Sequence, residues 1–395
     1  VLFCLITTTN FAQISDFIHV DQFGYLLNAD KIAVISNPQV GYNSNESYIA
    51  GPTFELRDFN NDTIVYSGAI DQWNNGNTHS SSGDQGWWFD FSDFNIPGNY
   101  YVYDPSTANR SASFSINGNP YKEVLSASMK MFYYNRCNFD KQMPHASAGW
   151  TDGNNFDNDL QDFNCRDAYD QGNAATEKDM SGGWFDAGDY NKYVTFAHNP
   201  VHDLLSSYEE HPTLFGDDWN LPESGNGLAD ILDELKWELD FLLKMTNSDG
   251  SVHIKMGSVS FNENENAPPS ANVDPRYYAP TCSSAAIANA SMFAHAALIF
   301  ANEPGMSSYA TTLETTAINC WNNFIIDFDA NTLETDCDDG LVKSGDADRN
   351  EEEQKQMALI AAIYLFDLTS DNTYRDFITD HHDEVEPISM TLLRS

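Results

Sequence analysis

The chain has 395 residues, 41% hydrophobic and 13% aromatic, with 59 acidic side chains against 19 basic ones and a formal net charge of −40. That length accommodates two or three domains with a large core. That charge repels nucleic acid, anionic membrane surfaces and polyphosphates, and leaves neutral or cationic ligands as partners. Six tryptophans (Trp73, Trp87, Trp88, Trp150, Trp184, Trp219) stand beside Gly, Asn and Asp rather than in apolar runs. Rings in polar surroundings suit sugar faces, with ordinary packing as the competing reading.

The opening VLFCLITTTNFAQ reads as the tail of a secretory signal peptide with Ala12 as its cleavage point, so residues 1–13 are taken as a leader remnant and the protein as secreted or periplasmic. No other run is expected to span a bilayer. With Cys4 in the leader, Cys137, Cys165, Cys282, Cys320 and Cys337 remain. An odd number without a CxxC pair predicts one free thiol or a partner outside the chain.

Residues 14–116 are expected to form an all-β unit. The runs FIHVDQFGYL, KIAVIS, TFELRDF, DTIVYSGAI, GWWFDFSDF, GNYYVYD and SASFSI are rich in β-branched and aromatic residues and are separated by Gly, Asn, Asp and Pro. This is the cadence of a β-sandwich, here without a catalytic grouping. From residue 117 the period becomes helical. In GLADILDELKWELDFLLKM, Leu228, Ile231, Leu232, Leu235, Leu239 and Leu242 recur at i, i+3, i+4, i+7 spacing. Similar readings fit YKEVLSASMKMFYYNRC, VTFAHNPVHDLLSSYEE, SSAAIANASMFAHAALIFA, SSYATTLETTAINCWNNFI, EEQKQMALIAAIYLFDLT and NTYRDFITDHHDEV, predicting about seven helices in hairpins over residues 117–395.

One stretch concentrates the chemistry. SGGWFDAGDYNKYVTF, residues 181–196, places Asp186 and Asp189 among glycines and aromatic rings. Gly182 and Gly183 permit backbone angles closed to other residues, and Gly188 is expected to turn the chain between the two carboxylates. A carboxylate pair beside rings is what inverting glycoside hydrolysis asks for: one group to deprotonate a water and another to orient it, with a separate acid for the leaving oxygen. A calcium loop or a helix cap uses the same residue types.

GGWFDAGDYNK resembles the aspartate signature GGWYDAGDhxK of glycoside hydrolase family 9, and LPESGNGLADILDELKWELDFLLKM at 221–245 is similar to a second block of that family. FIHVDQFGYLLNADKIAVI resembles the immunoglobulin-like module that precedes the catalytic domain in one branch, and FYYNRC resembles its first helix. The resemblance covers most of residues 17–300. It implies a multidomain chain: an immunoglobulin-like β-sandwich followed by an all-α (α/α)6 toroid, incomplete at its C-terminal end. The implied activity is hydrolysis of β-1,4-glucan with inversion, Asp189 being the base and Asp186 holding the water, on a β-glucan polysaccharide or oligosaccharide and without nucleic acid, membrane or obligatory oligomer. Endo action is expected; exo action and non-catalytic carbohydrate binding are the alternatives. Trp184, Phe185 and Tyr190 either stack on sugar or pack on neighbouring helices, and His253, Arg276 and Tyr277 are expected to touch sugar hydroxyls at a cleft. Glu223 is placed in a structural turn.

The family's general acid is a late glutamate following a histidine-arginine block, and neither occurs before Ser395. Asp383, Glu384 and Glu386 lack the surrounding pattern, so the acid is assigned to none of them and the sequence reads as an inactive fragment of an enzyme. No cofactor is required for the chemistry. Relatives carry a zinc site near the start of the catalytic domain; Cys137 and Cys165 remain here, but Arg166 stands where a histidine is expected, and a Cys137–Cys165 disulfide or two buried thiols compete with zinc. Calcium is common in the family, and SGDADRNEEE offers Asp346, Asp348 and Glu352, residues that equally suit an acidic helix start.

Overall fold

The structure is a computed structural model that describes residues 13–259, 267–337, 340–342 and 345–385. The leader reading at residues 1–12 and Glu386 lie outside the described residues. The chain divides into two compact units, Val1–Ser128 and Met129–Ser395.

Among the described residues the first unit is built from eleven strands: β1 Gln13–Ile14, β2 Ile18–His19, β3 Tyr25–Leu26, β4 Ile32–Pro38, β5 Thr53–Asp58, β6 Ile64–Ala69, β7 Asp71–Gln72, β8 Asp84–Asp90, β9 Gly98–Asp104, β10 Asn109–Arg110 and β11 Phe114–Asn117. One sheet runs β1-β10-β9-β11-β3, with β5 on β9 and β6 on β5, and the other runs β2-β4-β8-β7. Alternation along each strand sends one set of side chains inward. Ala33, Ile35 and Phe89 of one sheet meet Phe54, Leu56, Val102 and Ile116 of the other in a single dry cluster. Every run predicted as a strand contains one.

The second unit is helical. Its elements are α1 Lys122–Asn135, α2 Val194–Glu210, α3 Asp230–Met245, α4 Ser283–Phe300, α5 Ser307–Ala330, α6 Glu351–Thr369 and α7 Asn372–His381, with α1 beginning before the division between the units. α4 packs against α2 and α6, and α2, α4 and α6 each pack against the helix that follows. These are the helical hairpins the periodicity predicted. α5 runs to Ala330, beyond its predicted end at Ile325, and closes on Asn331 in the left-handed region at φ 54°.

Three expectations change. α4 is long and apolar enough to cross a bilayer, contrary to the reading that no such run exists, yet it is almost wholly buried. Its many Ala and Ser side chains let neighbouring helices surround it, so it is the centre of a core. The cysteines leave three thiols rather than one: Cys282 pairs with Cys337, while Cys137, Cys165 and Cys320 are free and buried. A small four-stranded sheet, unpredicted, joins β12 Arg166–Asp167, β15 Arg276–Tyr278, β14 Lys255–Ser258 and β13 Lys192–Tyr193 in that order.

Candidate active site

The aspartate loop lies between the end of α1 and the start of α2, and its backbone is fixed from three sides. The amide of Cys137 donates to the Gly183 carbonyl at 2.8 Å, and the Phe185 amide donates to the Asn135 carbonyl at 3.0 Å. From α3, the Glu238 carboxyl accepts the Trp184 amide at 2.6 Å and Trp237 Nε1 donates to the Gly183 carbonyl at 3.2 Å. Below the loop, the fully buried Lys192 ammonium donates to the carbonyls of Met180 at 2.7 Å and Gly182 at 2.8 Å and pairs with Asp162 at 2.8 Å. Gly183 has φ +74°, and a Cβ there would lie 2.5 Å from the Phe241 ring, so glycine is demanded by both angle and space. Gly188 sits in the turn between the two carboxylates, without a positive φ. The left-handed residue is Tyr190, at φ +58°, whose amide donates to the Ala187 carbonyl at 3.0 Å.

This frame presents the carboxylates. Asp186 is exposed and lines a cavity of about 230 Å³ together with Phe132, Trp184, Phe185, Phe196 and Glu238. Partial burial, and then the charge of Asp189, raise the Asp186 carboxyl above the ordinary value. Asp189 accepts the Tyr193 hydroxyl at 2.5 Å, and Tyr193 in turn accepts from Asn191 Nδ2 at 3.2 Å. Asn191 is itself set by the Ser258 amide, which donates to its Oδ1 at 3.0 Å. Two coupled carboxylates on one braced loop can share a water, one as hydrogen-bond acceptor and one as base.

Asn191 and Tyr193 were missed in the sequence because nothing in DYNKY marks them as partners of Asp189. The signal available was proximity alone, two and four residues downstream.

Trp184 is 9% exposed, rests against Phe132 at 4.6 Å between ring centroids, and donates its indole N–H to Glu234 at 2.8 Å. Tyr190 packs on Phe185 and Phe156. Both rings serve first as supports of the loop.

The other expected sugar contacts are corrected by burial. Arg276 is fully buried, pairs with Asp162 at 2.7 Å and lies over the Phe156 ring. His253 is buried, with Nδ1 on the Ala279 carbonyl at 2.8 Å and Nε2 accepting from Lys178 at 2.8 Å, and burial followed by the Lys178 charge lowers its pKa to about 4. Tyr277 packs with Ala168 and Val342. Each answers a packing or charge-pairing demand that a single sequence does not display. Glu223 is held by Arg136 at 2.9 Å, as a structural turn requires.

The metal expectations divide likewise. Burial pushes the Cys137 and Cys165 thiols up to about 11 and about 12, Cys165 Sγ lies 3.3 Å from the Lys178 carbonyl, and Arg166 binds Glu177 at 2.6 Å. Among the described residues neither thiol joins a third metal-ligating group. Without a group of three ligands around them the two thiols do not make a zinc site, and they are not disulfide-bonded. Among the described residues Asp348 groups with Cys282 and Cys337, and not in a ligand trio with Asp346 and Glu352. Glu352 instead belongs to the first turn of α6, where Asn350 and Glu353 form a capping box. A separate trio converges at the start of α3: Asp230 and Asp233 of its first turn meet Asp217, which accepts the amides of Gly225 at 2.5 Å and Gly227 at 2.7 Å. Asp383 and Glu384 lie just past α7 and away from the loop in sequence, Glu384 pairing with His381 at 3.0 Å.

Residues 121–390 match the glycosyl hydrolase family 9 profile, and residues 14–108 match the cellulase N-terminal ig-like domain. The chain belongs to glycosyl hydrolase family 9. Within family 9 it is similar to endoglucanase D of Acetivibrio thermocellus, 31% identical over 252 residues that cover 60% of this chain and 36% of that protein. It is also similar to a cellulose 1,4-beta-cellobiosidase of the same organism, 27% identical over 312 residues covering 72% of this chain and 33% of that one. Among solved structures, a metagenome-derived family 9 endoglucanase superposes with a TM-score of 0.77 at 27% identity, covering 95% of this chain and 66% of that chain. The chain thus spans about a third of the length of the curated relatives it matches. The β-rich unit followed by helical hairpins is the family 9 arrangement.

Proposed function

We propose that this protein hydrolyses β-1,4-glucosidic bonds of cellulose or related β-glucans with inversion of configuration. The observation that carries the proposal is the braced loop that holds Asp186 and Asp189 together, Asp186 at a cavity walled by aromatic rings. The Asp189 carboxylate takes a proton from a water that also donates to Asp186. The water oxygen then attacks the anomeric carbon from the face opposite the leaving group, and the leaving oxygen takes its proton from an acid that we assign to none of the described residues. The Tyr193 hydroxyl fixes the rotamer of Asp189, so the base points one way without reorganising during the step. The chemistry requires no cofactor.

Similarity to an endoglucanase and to a cellobiosidase supports endo and exo action respectively, and we favour endo. Product analysis decides: an oligosaccharide ladder means endo, a single small product means exo. The test of the mechanism is Asp189→Asn in the protein expressed from its whole open reading frame, assayed on a soluble β-glucan. Hydrolysis is expected to fall about 10²- to 10⁴-fold with sugar binding retained; near-parental turnover overturns the base assignment. Tight binding by the parent without any turnover supports the carbohydrate-binding alternative instead.

We further propose that the protein is exported and acts as a monomer. The Cys282–Cys337 disulfide supports an oxidising compartment, and the high negative charge disfavours self-association. Recovery of the native protein only from cytosolic fractions counts against export, and a dimer mass by light scattering counts against the monomer.

A further inference from the structure

The β2-β4-β8-β7 sheet carries an unusual outer face. Its register puts His19 beside Val34, Val34 beside Trp88, and Ser36 beside Gly86. Side chains two apart on a strand share a face, so these five residues form one continuous patch opposite the sandwich core. Trp88 is 45% exposed and Val34 43% exposed, a large apolar floor open to solvent. Gly86 supplies no side chain, and a Cβ there would lie 3.7 Å from that of Trp73.

The segment after β7 rises over this floor. Trp73 meets the His79 ring edge-on at 5.2 Å, and the segment is tied back by the His79 amide on the Asp84 carbonyl at 2.8 Å and by Gln85 Nε2 on the Gly76 carbonyl at 2.9 Å. Floor and wall enclose a cavity of about 310 Å³, within the size range of small-molecule sites. Its polar lining comes from His19, paired with Ser36 at 2.9 Å, and from His79, Ser82, Asp84 and Gln85.

We propose that this cleft binds a β-linked glucan chain as an accessory site outside the catalytic unit. Among the described residues no lysine or arginine lines the cleft, which disfavours phosphate and other anions. Indole beside hydroxyl, imidazole, amide and carboxylate groups matches a ligand with apolar C–H faces and hydroxyl edges, as a pyranose ring has. The aliphatic Val34 and the hydroxyl and amide groups of Ser36, Ser82 and Gln85 interrupt the rings, so they do not make the closed cage that a quaternary ammonium requires. The choice of β-glucan among sugars rests on the proposed activity, and the site extends that activity by holding the polymer at a second place.

The experiment uses the protein from its whole reading frame, with cellohexaose and phosphoric-acid-swollen cellulose as probes. Trp88→Ala removes the floor, and Gly86→Leu fills the cleft while leaving Trp88 in place. Both variants are expected to bind swollen cellulose roughly tenfold more weakly while hydrolysing short soluble oligosaccharides at the parental rate. In the Asp189→Asn background, cellohexaose is expected to quench tryptophan fluorescence in a step that either substitution abolishes. Unchanged cellulose retention in both variants overturns the site, even if the parent is an active hydrolase. Retention that depends on Trp88 in a protein without turnover upholds the site and overturns the activity. Displacement of cellohexaose by millimolar tetramethylammonium also overturns it, by showing a cation cage.

Discussion

Two pairs of carboxylates meet at the aspartate loop, and the protein treats them in opposite ways. Asp186 and Asp189 project from the loop, Asp186 into solvent at the mouth of a cavity. Glu234 and Glu238 lie on α3 within the protein, 1% and 2% exposed, and hold the two nitrogens of Trp184. Glu234 is matched by the buried Arg136 at 3.0 Å, whereas Glu238 is pushed up to about 8 by burial. Residue type therefore does not separate chemistry from scaffold here; solvation and partnering do. A carboxylate open to water is solvated without a partner, whereas a buried one must be paired or protonated.

The widest contrast is expected from Asp189→Asn against Arg136→Ala. The first should lower turnover by about two to four orders of magnitude with little change in melting temperature. The second leaves Glu234 buried and unpaired, and should cost roughly 3–5 kcal/mol in a denaturation titration while an exposed loop carboxylate stays in place. If both variants lost activity and stability together, the division between the pairs would be wrong. Gly183→Ala tests the frame itself. Strain at positive φ and collision with Phe241 should destabilise by about 2–4 kcal/mol, with calorimetry as the check and a wild-type thermogram as the contrary result.

The finest test is pH. Glu238 keeps its proton in the folded state up to about 8, whereas the unfolded chain releases it near the ordinary glutamate value of 4.5. Its contribution is therefore fully present below about 4.5 and declines as pH rises toward 8, with a slope of no more than about 1.4 kcal/mol per pH unit. Glu238→Gln should flatten that alkaline-side slope. Between about 4.5 and 6.5 it should steepen the loss of stability as pH falls, because His198, with a pKa lowered to about 4, and His295, lowered to about 3, then act without the opposing Glu238 slope. A slope identical in parent and variant would show that Glu238 is ionised in the folded protein. Within the loop, removing the Asp189 charge should move the Asp186 carboxyl down, which NMR titration can read.

How far the sequence reached differs by element. α2 and α4 start where the periodicity placed them and α6 begins one residue earlier, since their patterns are long and bounded by polar breaks. β12 and β13 were invisible, being two-residue strands whose pairing depends on partners more than fifty residues away. Arg276, His253 and Tyr277 lie in a segment whose composition suits an exposed loop. Only the folded chain shows that they are buried and that Asp162, Lys178, Ala168 and Val342 occupy them.

The sequence by itself determined the order of a β-rich unit and a helical unit, the position of the aspartate loop and the excess of negative charge. Those properties are local, written in periodicity, glycine placement and composition. The tertiary structure decided which carboxylates reach solvent, which cysteines pair, that Tyr190 takes a left-handed conformation after the Gly188 turn, and that Trp88 stands on an open face while Trp87 packs toward the core. Those are matters of burial and of contact between distant segments, and the free energy of a charge or an indole is set by what surrounds it after folding.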